Sequence, residues 1–190
     1  MPSTKHFSTF LGPKVKAKFT LGKVNKELVE KILSSIKGKS SSGYDDFSPK
    51  LMKDVFPQIS DPLCHLFNLS FKTGFIPDKF KLAKVVPIFK SGNKNEFTNY
   101  RPISLLTSLS KILEKLVARQ LVGYLYKNKI LYKDQYGYRS GHSTTHPLLR
   151  FLDKTYHAFN QKNPDYCLGI FCDLKKAFDT VNFSILLSKL

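Results

Sequence analysis

Between Cys167 and Leu174 the chain runs almost unbroken through apolar residues, Cys167-Leu168-Gly169-Ile170-Phe171-Cys172, and then meets a carboxylate, Asp173. A run this short, with no polar alternation, predicts a strand buried on both faces. Asp173 then sits where the strand leaves the core. A charge in that position needs a partner, because an unpaired ionised carboxylate in an apolar setting is costly enough to shift its pKa or to recruit a cation. A divalent metal, a basic side chain such as Lys175 or Lys176, or a helix terminus would each serve.

Most of the chain upstream reads as helix. Val24, Leu28, Val29, Ile32, Leu33 and Ile36 recur at helical spacing and stop at Gly38, and a loop rich in Ser, Gly and Lys follows from Lys37 to Gly43. Ser48 and Pro49 open the next helix in the cap and first-turn positions. Asp61 and Pro62 predict another start, for a helix through Leu63, Leu66, Phe67 and Phe71 that ends at Gly74. The character then changes: Ala83, Val85, Val86, Ile88 and Phe89, interrupted by Pro87 and flanked by Lys81, Lys84 and Lys90, suit an edge strand. A long amphipathic helix capped near Ser108 or Ser110 carries Leu109, Ile112, Leu113, Leu116, Val117, Leu121 and Leu125, and a further helix runs from about Thr145 to Phe159. Between them, Gln135 to Ser143 is rich in Tyr, Gly and Arg. Its rings and cations suit bases and phosphates, or pack as an ordinary turn.

Charge narrows the function classes. The 190 residues carry 31 Lys and Arg against 14 Asp and Glu, a formal net charge of +17, with a pI near 9.8. Residues 1–40 hold 9 basic and 2 acidic residues, and residues 101–160 hold 10 and 3. Two basic surfaces follow, with nucleic acid as the leading partner and a merely solvated face as the bland alternative. No apolar run approaches the ~20 residues of a spanning helix, and no secretory signal opens the chain at Met1 to Leu11. The expectation is an intracellular chain, in cytoplasm or nucleus, that is not secreted. The three cysteines, Cys64, Cys167 and Cys172, lack C-x-x-C spacing, so neither a disulfide framework nor structural zinc is expected. His142 and His146 could share a helical face but have no third ligand in a zinc motif, and no Gly-rich phosphate loop occurs.

Phe171-Cys172-Asp173-Leu174-Lys175-Lys176-Ala177-Phe178-Asp179-Thr180-Val181 resembles motif A of non-LTR (LINE-type) retrotransposon reverse transcriptases, an apolar residue and one variable position followed by D-L-x-K-A-F-D-x-V. Upstream, Asn99-Tyr100-Arg101-Pro102-Ile103-Ser104-Leu105-Leu106 resembles the family's N-Y/F-R-P-I-S-L fingers motif. Tyr136-Gly137-Tyr138-Arg139 with Ser143-Thr144-Thr145 resembles its G-F-R-x-x-x-S-T segment, and Gly43-Tyr44-Asp45 its G-x-D segment. The motifs stand in the family's order, and the resemblance runs from about Phe19 to Leu190.

The resemblance implies an α/β (α+β) right-hand fold, with mainly helical fingers and the first part of the palm. Residues 1–18 stay an unassigned basic arm, 19–160 make fingers and the start of the palm, and 161–190 a palm segment with motif A. It implies RNA-directed DNA synthesis on an RNA template and DNA primer, from deoxynucleoside triphosphates with Mg2+. Asp173 becomes the first metal-binding carboxylate, with the backbone carbonyl of Leu174 beside it, and Phe178 the steric gate against a 2′-hydroxyl. Lys90 and Arg101 become the fingers cations on the incoming triphosphate, though each is also readable as a surface cation. Gln135, Tyr138 and Arg139 lie along the template strand.

Departures from the family pattern limit these expectations. Its later motifs, including the Phe/Tyr-x-Asp-Asp hairpin with a further carboxylate, are expected beyond Leu190, so the 190 residues alone should not polymerise. Gly43-Tyr44-Asp45-Asp46 is no substitute, since nothing separates Tyr44 from the Asp pair, and Asp46 stands where the family commonly has Gly. A nucleic-acid-binding remnant without catalysis is the alternative reading. A phosphatase-like hydrolase with Asp173 as nucleophile wants a carboxylate where Lys175 stands.

Overall fold

A computed structural model of the chain describes Thr9 and residues 17–37, 42–161, 166–174 and 177–189. It divides into two compact units, Met1–Leu131 and Tyr132–Leu190. The elements combine helices with one small antiparallel sheet, an α+β composition. The expectations for residues 1–16 other than Thr9, for Lys175 and Lys176, and for the middle of the Lys37–Gly43 loop fall outside the described residues.

In the first unit, α1 (Lys26–Ser35) starts where the Asn25 side chain accepts from the amide of Leu28, leaving Val29, Ile32 and Leu33 on its buried face. Helix α2 (Pro49–Thr73) begins at Ser48, whose hydroxyl accepts from the Leu51 amide, with Pro49 in the first turn. It ends at Gly74, which takes a left-handed φ of 70°. The separate helix expected from Asp61 and Pro62 does not exist; α2 runs continuously through Pro57 and Pro62. Both prolines are exposed, so the carbonyls freed by their missing N–H groups can face water. The opposite face, with Met52, Phe56, Leu63, Cys64 and Phe67 buried, keeps the helix in one piece. A short helix, α3 (Asp78–Lys81), leads into the sheet.

Helix α4 (Ser108–Lys127) is capped one residue earlier than expected, by Thr107, whose hydroxyl accepts from the Ser110 amide at 3.1 Å. Ile112, Leu113 and Leu116 join the buried residues of α1 and α2 with Val24 and Ile36 in one core. Two side-chain amides tie the preceding segment to that core. Asn68 of α2 accepts from the Val24 amide at 2.8 Å and donates to its carbonyl at 2.9 Å, and Gln120 of α4 does the same for Gly22 at 2.6 and 3.2 Å. Each closes a backbone pair that no strand is there to satisfy.

The sheet is a ribbon of β1 (Ala83–Phe89) and β2 (Tyr100–Leu106), antiparallel, with Pro87 opposite Pro102. The expected edge strand is therefore present, and β2 is a second strand that its Arg-Pro-Ile-Ser sequence hides. Counting outward from the Lys90 amide donating to the Asn99 carbonyl at 2.8 Å, the facing prolines occupy a non-hydrogen-bonded pair. Neither proline costs the ribbon a ladder bond.

The second unit holds α5 (Thr145–Phe159), as expected, and α6 (Phe183–Lys189), where the Asn182 side chain accepts from the Ile185 amide. The strand predicted at 167–174 is not formed. The segment has no regular structure, and Leu168, Ile170, Phe171 and Leu174 are all exposed, Phe171 at 83%. A strand buried on both faces needs pairing strands and covering layers, and among the described residues the sole ladder is that of β1 with β2. Asp173 is accordingly exposed rather than set at the end of an interior strand.

Candidate nucleic-acid and nucleotide site

In the first unit the ribbon brings two of the expected site residues together. Ile88 faces Arg101 across the ladder, so Arg101 and Lys90 fall on the same face in diagonal register, with Lys84 further along that face. All three are exposed. On the other face the Phe89 and Tyr100 rings meet edge-on at 5.5 Å, and the Lys94 ammonium lies 5.8 Å from the Phe89 ring centre. The result is a cationic ribbon stiffened by aromatic packing, able to meet an anion with several donors at once.

The second unit gathers the remaining residues. Arg139 turns one guanidinium nitrogen inward, donating to the carbonyls of Tyr132 at 3.1 Å and Gln135 at 3.2 Å, while the Gln135 amide reaches the Gly137 carbonyl at 3.4 Å. Tyr138 adopts a left-handed backbone, φ 58°, and its ring is 94% exposed. A cleft of about 420 Å³ lies against this turn, lined by Tyr136, Tyr138, Arg139, His142, Ser143 and Thr144. His146 accepts through Nδ1 from the Ser143 amide at 2.9 Å and stacks on the Tyr136 ring at 6.3 Å, with an interplanar angle of 12°. His142 and His146 thus serve the turn; among the described residues no group of three or more His, Cys, Asp and Glu could hold a metal.

Two residues here escaped the sequence reading. Arg150 of α5 donates from one nitrogen to the Asp134 carboxylate and, at 3.2 Å, to the Tyr136 hydroxyl. The bond to Tyr136, the largest effect, holds the guanidinium above its ordinary pKa; burial opposes it, and the Asp134 charge adds to it. An Asp and an Arg this far apart in sequence carry no pattern that singles them out. Phe178 is exposed, and its ring meets that of Tyr138 edge-on at 5.9 Å and 84°. Asp173 belongs to no group of three or more His, Cys, Asp and Glu among the described residues, and a bound Mg2+ takes near-octahedral oxygen coordination, commonly from one or two carboxylates and waters.

The second unit thus offers a turn with rings and cations that meets Phe178, and the first unit offers a cationic ribbon. The family profile "Reverse transcriptase (RNA-dependent DNA polymerase)" matches residues 90–190. The chain is 36% identical over 165 residues to the "Probable RNA-directed DNA polymerase from transposon BS" of Drosophila melanogaster, covering 85% of this chain and 18% of that protein. It is 32% identical to the "Probable RNA-directed DNA polymerase from transposon X-element", over 82% of this chain and 17% of that one, and 31% identical to the "RNA-directed DNA polymerase from mobile element jockey", over 85% and 18%, both of Drosophila melanogaster. The chain belongs to the reverse transcriptase family, in its non-LTR retrotransposon branch. It spans less than a fifth of the length of these curated relatives.

Proposed function

We propose that these residues serve RNA-directed DNA synthesis, as the fingers and the first part of the palm of a right-hand polymerase acting inside the cell. The observation that carries the reading is the contact of Tyr138 with Phe178, because it joins two segments that match different family motifs, one assigned to the template strand and one to the sugar of the incoming nucleotide. In this reading Gln135, Tyr138 and Arg139 line the template. Phe178 screens against a 2′-hydroxyl, so deoxynucleoside triphosphates are preferred. Lys90 and Arg101 neutralise triphosphate oxygens, which the shared face of the ribbon supports. Asp173 contributes one carboxylate to a Mg2+ site, with the Leu174 carbonyl beside it. When bound, the ion would stabilise charge on the phosphoryl oxygens.

A second reading, nucleic-acid binding without catalysis, rests on charge alone, a formal net +17 over the 190 residues. Two measurements separate the cases. Anisotropy titration of the 190-residue chain on a primer–template hybrid is expected to show affinity falling steeply with salt. Salt-independent or absent binding would sink both readings. Primer extension by the same 190 residues is expected to give no product; template-dependent extension would overturn the requirement for carboxylates beyond Asp173.

A further inference from the structure

We propose that Arg150 is a positioning residue for the template strand, acting through the turn and not on nucleic acid itself. The inference rests on the template-strand reading of Gln135, Tyr138 and Arg139. Asp134 and Tyr136 stand on either side of Gln135, and the Arg150 guanidinium binds both from a single nitrogen. The backbone at Gln135 is therefore pinned at both neighbours to a helix that begins only after the turn. Arg150 is four residues after His146, so the two share a face of α5. His146 stacks on the Tyr136 ring while Arg150 takes its hydroxyl, which fixes that side chain in two directions.

What this clamp achieves is visible two residues past Tyr136. Tyr138 holds a left-handed φ of 58°, a conformation a non-glycine residue keeps only when its surroundings determine it, and its ring projects almost wholly into solvent. Arg139 contributes from inside the turn, through its bonds to the Tyr132 and Gln135 carbonyls. The Arg150 side chain is at 38% and that of Asp134 at 23% of full exposure, and one Arg150 nitrogen is engaged with both protein acceptors. Loss of Arg150 would leave every template-facing side chain present and let the turn relax. The ring of Tyr138 would then no longer be preset for stacking on a base, which weakens binding through ordering cost.

The test compares wild type with Arg150→Gln, Asp134→Asn, Tyr136→Phe and Arg150→Lys in the 190-residue chain. Amide hydrogen exchange over residues 132–143 reads the turn, and anisotropy on a short single-stranded RNA across a salt series reads binding. Arg150→Gln is expected to speed exchange in the turn about tenfold, the scale of one lost charge-assisted bond, without changing exchange in α1, α2 and α4. RNA affinity is expected to fall by a similar factor at an unchanged salt slope, because Arg150 neutralises no phosphate. Arg150→Lys should recover part of both effects, since both bonds leave one nitrogen, and the double variant Asp134→Asn/Arg150→Gln should lose little more than either alone. Unchanged exchange in Arg150→Gln overturns the proposal, and so does a salt slope lowered by about one, which would make Arg150 a phosphate contact. Wild-type protein that ignores RNA would overturn the functional reading instead, and the exchange comparison would still decide whether Arg150 holds the turn.

Discussion

Asp46 carries a φ of 57°, where a side chain crowds its own backbone, and it does so at the position where the family commonly has glycine. Its short carboxylate offsets part of the strain by accepting from the Ser42 hydroxyl at 3.3 Å. Asp46→Gly is expected to raise stability by about 1 kcal/mol in urea denaturation. Gly43 needs its glycine for a different reason: a Cβ there would lie 2.7 Å from the Thr107 amide nitrogen and 2.9 Å from the Leu106 carbonyl carbon. Gly43→Ala is expected to cost about 2 kcal/mol in the same assay, since backbone on both sides must move. The G-x-D segment was readable as a pattern, but its cause was not, because the backbone it touches belongs to the start of α4. Cys64 is buried, and burial first, then the Asp61 charge, push its thiol pKa up. The folded state thus keeps the proton longer than the unfolded chain. The stability tied to it is complete below the unfolded thiol pKa and is lost as pH rises through the folded one. Iodoacetamide at mildly alkaline pH is expected to label the exposed Cys167 and Cys172 and to spare Cys64 until denaturant is added.

Among the elements, helices were more legible than strands, for reasons particular residues show. Ser48, Pro49 and Gly74 state the ends of α2 in local chemistry, since a cap acts within a few residues of itself. The continuity of α2 through Pro57 and Pro62 depends on which face is covered, and that is settled by α1 and α4. Phe67, with no exposed surface, is the clearest measure of this packing, and Phe67→Ala is expected to cost about 3 to 5 kcal/mol in thermal or urea unfolding. The segment at 167–174 shows the opposite limit. Its composition announces a buried strand, yet a strand exists only through partners, and none pairs with it among the described residues. The site followed the same division: Lys90 and Arg101 were found as motif positions and share a face through the register, whereas Asp134 and Arg150 meet through a turn that no spacing rule describes.

At the scale of the molecule, the buried apolar residues among those described all lie between Val24 and Leu116, and neither α5 nor 166–174 contains a buried residue. Amides of α1, α2 and α4 are therefore expected to exchange at least ten times more slowly than those of α5, and equal protection would contradict this distribution of the core. The excess of positive charge was legible at once, and it fits a family whose members work on nucleic acid; which cations gather on one surface required the fold. The facing prolines of the ribbon have an effect reaching beyond the chain itself. At a non-hydrogen-bonded pair the backbone points outward, so Pro87 and Pro102 each leave one outer border of the ribbon without a donor near its middle. A stray strand from another molecule would find a gap on either side where it sought a bond, which disfavours edge-to-edge pairing with this exposed hairpin.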